Sequence, residues 1–411
     1  MSYNLNIAEF NLLLTDNNDI TELHLTSYDT TYGKYKVVRY NKDILYVANA
    51  FGVFRSVVLN NNNEIISFAP PKSLSIENFS KLNPTKLNNI VAEEFIEGTM
   101  INVFWDTQLN NWNIATRNTV GADVSFFKSD IHKTFNSMFY ETLTACKLDL
   151  NSLNKLYCYS FVLQHPENRI VSPIQTPTLY LVQVYQITEK MVDVISMDQI
   201  RSDDLWKSTS IKFPLVYNDW NSYEDLNDKY ASTNTPYNLM GVIIKNTETN
   251  DRCKIRNPVY EEVRLLKGNQ PKLQYHYLSL RKTGKIAEYL KFYPECKKNF
   301  SKYRDQLHAF TNALFVNYVS CYIKKEKPLG EFSGQYKTHM FKIHKIYLDE
   351  LKEKKLFVTN SVVIQYVNNL HESQQLHSLH YHLKKQFVDS KKVDSFTSFL
   401  IKFVKPPETI S

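Results

Sequence analysis

The strongest chemical signal in this chain is the run Glu93-Glu94-Phe95-Ile96-Glu97-Gly98-Thr99. Covalent nucleotidyl transfer uses a lysine to attack the α-phosphate of ATP and a carboxylate or amide to hold the ribose. Further carboxylates bind the divalent metal, and basic residues neutralise phosphate charge. The lysine sits in a K-x-[DE]-G frame, where glycine permits a tight turn while lysine and acid project into one cleft. Glu97 and Gly98 fit that frame, but phenylalanine stands at the lysine position.

Other segments follow in an order that suits the same chemistry. Arg55 lies in Phe54-Arg55-Ser56-Val57-Val58, and Ile65-Ile66-Ser67-Phe68-Ala69-Pro70-Pro71-Lys72 precedes the frame. Ile114-Ala115-Thr116-Arg117 supplies a basic strand after it, Tyr159-Ser160-Phe161-Val162-Leu163-Gln164 leads into Pro166-Glu167-Asn168-Arg169-Ile170-Val171, and Leu239-Met240-Gly241-Val242-Ile243 precedes Cys253-Lys254-Ile255-Arg256. Six such segments in this order resemble the phage-type RNA ligase 1 family of covalent nucleotidyltransferases, the P-x-N-R-I-V run being the most specific match. The resemblance covers the N-terminal two-thirds. It implies a nucleotidyltransferase domain (ATP-grasp-like, with paired antiparallel sheets around an ATP cleft) followed by an all-helical domain.

Against that resemblance, three positions are degenerate. Phe95 replaces the nucleophilic lysine, Val162 falls where the central motif carries glutamate, and Met240 falls where the metal-binding glutamate belongs. Phenyl, isopropyl and thioether groups neither attack phosphate nor bind Mg²⁺. The basic positions persist. Arg55, Lys72, Arg117, Lys254 and Arg256, together with Glu97 and Gly98, are the candidate nucleotide- or phosphate-binding residues. Lys72, Lys245 and Lys254 are candidates for a relocated nucleophile.

The elements that must position these residues are legible as patterns. Short β-branched and aromatic runs predict strands over 44–49, 53–59 and 64–69, with Asn60-Asn61-Asn62-Asn63 as a turn and Pro70-Pro71 as a stop. A hairpin is expected over 99–105 and 112–116, a helix over about 130–146, buried strands over 157–164 and 179–187, and a hairpin over 237–245 and 252–256. Later segments have the helical period: 304–324, stopped by Pro328 and Gly330, then 338–356 and 361–370. The fold class is therefore α+β, with residues 1–265 as the ligase-like domain and 266–411 as a basic helical domain. The tail from Lys391 is expected to be weakly ordered.

Charge marks the same division. Residues 264–411 hold 26 Lys and Arg against 12 Asp and Glu, a formal +14, while residues 1–263 hold 23 against 30, a formal −7. A basic module beside an acidic one points to a polyanion partner. Lys324, Lys325, Lys352, Lys354 and Lys355 are the RNA-binding candidates, with solvated helix ends as the alternative.

Other signals weigh less. Aromatics interleave with bases in Tyr275-His276-Tyr277 and Tyr289-Leu290-Lys291-Phe292-Tyr293, where core packing is the commoner use and base stacking the alternative. His371, His377, His380 and His382 lack a ligand spacing and read as surface or interface residues, so no metal site is expected. Five scattered cysteines without a CxxC pair suit a reducing, cytoplasmic compartment, or a viral factory if the source is a large DNA virus. With nine glycines there is no phosphate-loop or dinucleotide fingerprint. No secretory leader or membrane span is expected.

The reading is of a ligase-like protein without the covalent step, binding RNA or another polyanion, and with no cofactor of its own. Two alternatives stay open. One is an active ATP- and Mg²⁺-dependent RNA ligase or repair enzyme with a displaced lysine. The other is a viral structural or assembly protein with a protein partner.

Overall fold

A computed structural model describes residues 2–6, 23–30, 33–40, 45, 49–126 and 133–381. The chain divides into two compact units, Met1–Asn269 and Gln270–Ser411.

The first unit is built from antiparallel sheets. Its strands in chain order are β1 (Ser2–Asn4), β2 (His24–Thr30), β3 (Gly33–Arg39), β4 (Val57–Leu59) and β5 (Ile65–Ser67). There follow β6 (Ile90–Glu94), β7 (Thr99–Asp106), β8 (Asn111–Ala115), β9 (Tyr157–Gln164) and β10 (Thr178–Thr188). The last are β11 (Met191–Ile195), β12 (Val216–Tyr217), β13 (Gly241–Asn246) and β14 (Arg252–Arg256). Interspersed helices are α1 (Ile76–Leu82), α2 (Phe135–Ala145), α3 (Met197–Ser202), α4 (Asp204–Lys207), α5 (Tyr223–Tyr230) and α6 (Pro258–Lys267).

Three sheets result, ordered β1-β11-β10-β9-β7-β8, β12-β6-β13-β14 and β2-β3-β4-β5. The central strands of the largest sheet are buried on both faces. On one face Ile101, Val103, Tyr159, Phe161 and Leu181 pack under α2 with Met138 and Phe139. On the other, Phe104, Cys158 and Tyr185 meet Val37, Val58 and Phe68 of the small sheet. Burial on both faces explains why β9 reads as a continuous apolar run rather than an alternating one. The second sheet lays Val242 and Ile244 against Phe79 and Leu226 of its covering helices and Trp220 of the loop before α5. Its opposite face, carrying Glu93, Ile243, Lys245 and Arg252, turns toward β10, where Lys245 Nζ lies 3.5 Å from Val182 O and 3.4 Å from Gln183 Oε1.

Most expected strands form, with shifted ends. The Asn60–Asn63 turn is held by Asn60 Oδ1, which accepts from the Asn62 and Glu64 N–H groups at 3.0 and 2.9 Å. The strand expected over 53–59 starts only at Val57, because Asn49–Val53 coils into a 3₁₀ turn. The strand expected from 237 starts at Gly241. Residues before it form a turn clamped by Asn257, whose side-chain amide donates to Pro236 O and Leu239 O at 2.9 Å each. The helix expected from about residue 130 is Phe135–Ala145, capped by Thr134. Of the strand expected over 44–49 only Leu45 and Asn49 are described, and neither is extended: Leu45 is helical and Asn49 opens the 3₁₀ turn. His382 and the tail from Lys391 lie outside the described residues.

The second unit, over its described residues, is helical: α7 (Leu273–Lys282), α8 (Ile286–Phe292), α9 (Lys297–Tyr318), α10 (Gly334–Ile346), α11 (Asn360–Asn369) and α12 (Glu372–Leu379). The Tyr275–Tyr277 and Tyr289–Tyr293 aromatics are packing residues. Tyr277, Tyr289 and Tyr293 are buried, and Tyr289 stacks on Tyr293 and Phe300 at 4.7 and 5.2 Å between ring centroids. Among described helices none is long and apolar enough to cross a membrane.

Candidate anion-binding cleft

The motif loop between β6 and β7 is held by its glycine and its acid. Gly98 has φ +151°, and a Cβ there would stand 2.5 Å from Leu163 O and 2.6 Å from Val162 Cγ1. Only glycine lets the loop lie this close to β9. The Glu97 carboxylate is buried and accepts from the Val171 N–H (3.0 Å), the Ser172 N–H (3.1 Å) and the Ser172 hydroxyl (3.1 Å). Tyr260 of α6 donates its phenol to the same carboxylate, and burial pushes that phenol far above its ordinary range. The P-x-N-R-I-V segment therefore serves as the other half of a clamp. Its Asn168 amide donates to Thr99 Oγ1 at 2.9 Å, and Gln164 donates to Glu97 O at 2.8 Å. Glu97 was a candidate for touching nucleotide; in the structure its acceptor capacity is occupied by the protein.

The three degenerate positions gather around this loop. The Phe95 N–H donates to Gly241 O at 3.1 Å, which places Phe95 beside Met240 at the mouth of β13. Val162 lies under Gly98. Phe95 and Val162 are 9 % and 5 % exposed, so both positions are apolar filling.

Cations converge on the Phe95 ring. On β14 the side chains of Arg252, Lys254 and Arg256 alternate to one face, because every second residue of a strand shares a face. Lys254 Nζ stands 4.7 Å from the Phe95 ring centroid and the Arg256 guanidinium 5.7 Å from it. Lys254 is desolvated and surrounded by Arg252, Arg55, Arg256 and Lys72, which together hold its amine down at about pH 6 instead of 10.5. Burial, with Arg252, Arg117 and Arg256, brings Arg55 down to about 10. Five of the expected phosphate-binding residues (Arg55, Lys72, Arg117, Lys254, Arg256) thus share one electrostatic neighbourhood. Arg256 alone of these has a carboxylate partner, Glu261, among the described ion pairs.

Sequence reasoning missed Arg252, Arg201 and Glu93. A cavity of about 280 Å³ opens between the six-stranded sheet and the β12-β6-β13-β14 sheet, with Glu93, Lys245 and Arg252 on one wall and Val182, Gln183 and Tyr185 on the other. Lys245 is ion-paired with Glu93 at 2.6 Å, which fixes it as a strut and removes it from the relocated-nucleophile candidates on geometry. The buried Nε and Nη1 of Arg252 and Nε of Arg201 meet no acceptor. Buried donors left unpaired are rare and mark a place an acceptor can fill.

Lys254 gives a pH test. Its folded-state pKa lies far below 10.5. Between about pH 6 and 10.5 the unfolded chain therefore holds a proton that the folded chain lacks, and the amine's destabilising effect fades as pH rises. Thermal melts from about pH 6 to 9 should show stability climbing with pH in the wild type, with a flatter climb in Lys254→Met. Parallel curves would remove the cation crowding described here.

Metal ligation does not fit. Mg²⁺ needs oxygen ligands, whereas Val162 and Met240 stand at the positions the family resemblance gives to carboxylates. Among the described residues no three His, Cys, Asp or Glu side chains converge. The RNA-binding candidates Lys324, Lys325, Lys352, Lys354 and Lys355 are exposed in the second unit. Of the histidines, His371 caps α12 and His380 pairs with Gln274 at 2.6 Å.

No protein-family model matches the chain. It is 30% identical over 101 residues to a protein named RNA ligase from Rhodothermus phage RM378, a match covering 23% of this chain and 22% of that protein. It is 24% identical over 308 residues to the immediate-early protein ICP-46 homolog of Invertebrate iridescent virus 6, covering 67% of this chain and 64% of that protein. The chain thus spans less than two-thirds of the length of either relative. Among solved structures, an archaeal ATP-dependent RNA ligase superposes with a TM-score of 0.41 at 9% identity, over 74% of this chain and 79% of that one. In sequence the chain is similar, over 101 residues, to a phage protein named RNA ligase, and the two relatives given above are proteins of viruses.

Proposed function

We propose that this protein is a non-catalytic RNA-ligase-like protein that binds RNA, or another polyanion, through the cation row of its cleft and the lysines of its helical unit. The observation that supports it best is the crowding of Arg55, Lys72, Arg252 and Arg256 around Lys254. Such crowding opposes folding unless an anion relieves it. The unpaired donors of Arg252 and Arg201 add acceptor demand in the adjoining cavity. The apolar residues at 95, 162 and 240 leave no nucleophile at the motif and no metal ligands, so binding outlives the reaction. The whole protein's partner in this reading is RNA, in a cytoplasmic or viral-factory setting.

One observation favours the second reading, an active ligase. An amine uncharged near neutral pH can attack phosphorus, and Lys254 Nζ sits against the ring that replaces the motif lysine. Incubation with α-labelled ATP and Mg²⁺ separates the two. The non-catalytic reading expects no protein adduct. An acid-labile, base-stable label that disappears in Lys254→Met would establish the active one. Binding is tested on a labelled single-stranded RNA from about 50 to 200 mM salt, where roughly four neutralised phosphates give a log–log slope near −3. Absence of binding at the low-salt end would leave the assembly-protein reading standing.

A further inference from the structure

The second unit holds a feature that the lysines alone do not explain. Helices α9 and α10 both end in a wide π turn, over Val319–Ile323 and Tyr347–Leu351. In each, an N–H donates to a carbonyl five residues back: Lys324 to Val319 O at 2.9 Å and Lys352 to Tyr347 O at 2.8 Å. In each, a lysine then takes a left-handed backbone, Lys325 at φ 54° and Lys355 at φ 55°. A left-handed lysine after each turn carries a steric cost that glycine would avoid.

Between the two helix ends the rings form a column. Tyr322 stacks on His344 at 3.9 Å between centroids and 13° between planes, and His344 stacks on Tyr347 at 5.7 Å and 25°. Tyr318 closes the inner end. It is buried, and its hydroxyl lies 3.3 Å from His344 Nδ1. Burial lowers the His344 pKa, so its ring is mostly neutral at neutral pH and stacks as an uncharged aromatic. The outer three rings are only half-buried, unlike Tyr277, Tyr289 and Tyr293 of the same unit. Large apolar side chains next to them in sequence are exposed: Ile323 55% and Leu348 47%. From residue 322 to 355, nine lysines face five acids, and Glu326 is engaged with Ser320 and Lys324.

We infer that the Tyr322–His344–Tyr347 column is a stacking platform for the bases of single-stranded RNA, with Lys324, Lys325, Lys352, Lys354 and Lys355 taking the backbone. Aromatic rings accept any base on their π faces, and a cationic rim holds the phosphates beside them. Lysines without rings would grip a duplex as well as a strand. Rings without lysines would favour a protein. The combination selects an unpaired, negatively charged chain whose flat groups can splay out. The inference rests on the RNA-binding reading above and specifies which form of RNA, and where.

The test is fluorescence anisotropy with a labelled oligouridylate and with an RNA duplex, using the full chain and the double variant Tyr322→Leu/Tyr347→Leu. The single strand should bind more tightly than the duplex, and the variant should lose roughly 5- to 100-fold for it with an unchanged salt slope. The lysine reversal Lys354→Glu/Lys355→Glu should instead flatten the slope. Because the ring variant could disturb helix packing, wild-type protein provides a second readout. Nitration of Tyr322 and Tyr347 by tetranitromethane, followed on tryptic peptides by mass spectrometry, should fall when oligouridylate saturates the protein. Single-strand affinity that survives the ring variant, or nitration that RNA does not slow, overturns the platform while leaving the RNA-binding reading intact. No RNA binding even at about 50 mM salt overturns both.

Discussion

Phe95→Lys restores the motif lysine and should still yield no labelled adduct from α-labelled ATP and Mg²⁺, while lowering stability by about 2–4 kcal/mol. The stability loss has two sources. Phe95 is 9 % exposed, and its ring fills the space below Lys254 and Arg256 at 4.7 and 5.7 Å. A lysine stem fills less of that space, and its ammonium joins cations that already depress the Lys254 amine to about 6. The new amine should itself lose its proton readily, which favours nucleophilic attack. It would nevertheless face a substrate with no metal to neutralise it, because Val162 and Met240 offer no oxygen. The comparison is a triple variant in which Val162→Glu and Met240→Glu accompany Phe95→Lys. Urea melts with equal slopes read the stability change and gel autoradiography reads the adduct. A robust acid-labile adduct in the single variant would mean that carboxylates elsewhere serve the metal, and the claim that the cleft lacks metal ligands would fall.

How much of this was legible in the sequence depended on whether a feature is local. Strand β9 was visible as an apolar run and β14 as a short run of alternating charge, because each pattern is complete within one segment. The motif frame at Phe95–Gly98 was visible for the same reason. What sequence could not show was convergence. Lys254 is unusual only because Arg55, Lys72 and Arg252 arrive beside it from separate segments. Glu93 and Lys245 each look like solvated strand residues, yet they pair at 2.6 Å across neighbouring strands of one sheet, on its buried face. Arg252 falls just before the recognised run and was passed over, although its alternation with Lys254 and Arg256 was available as a signal. The aromatic stripes were resolved in the opposite sense. Tyr275–Tyr277 drew notice by adjacency and proved to be packing, whereas Tyr322 and His344 stack across two helices that no local pattern connects.

The Glu97 carboxylate, not the cation row, should be the most sensitive single position in the first unit. Glu97→Gln keeps size and shape but turns one acceptor oxygen into a donor amide. In the native clamp the Val171 N–H, the Ser172 N–H and hydroxyl and the Tyr260 phenol all point at this carboxylate. At least two of those donors would then lack an acceptor in a site where Glu97 is 4 % and Tyr260 1 % exposed. Each orphaned buried donor costs about 1–3 kcal/mol, so a loss near 2–4 kcal/mol is expected after partial relaxation. The clamp joins the motif loop, the segment after β9 and α6, so its loss should be felt at all three. Hydrogen exchange at the Val171 and Ser172 amides should quicken by a factor matching the stability loss, or more if the loop opens alone. RNA affinity of the molecules that remain folded should change little, because the carboxylate is occupied within the protein and repels phosphate. A variant of undiminished stability whose RNA or ATP affinity drops tenfold would return Glu97 to the role of ligand contact. The motif acid would then be a binding residue, where the clamp makes it a structural tie that holds the loop in place.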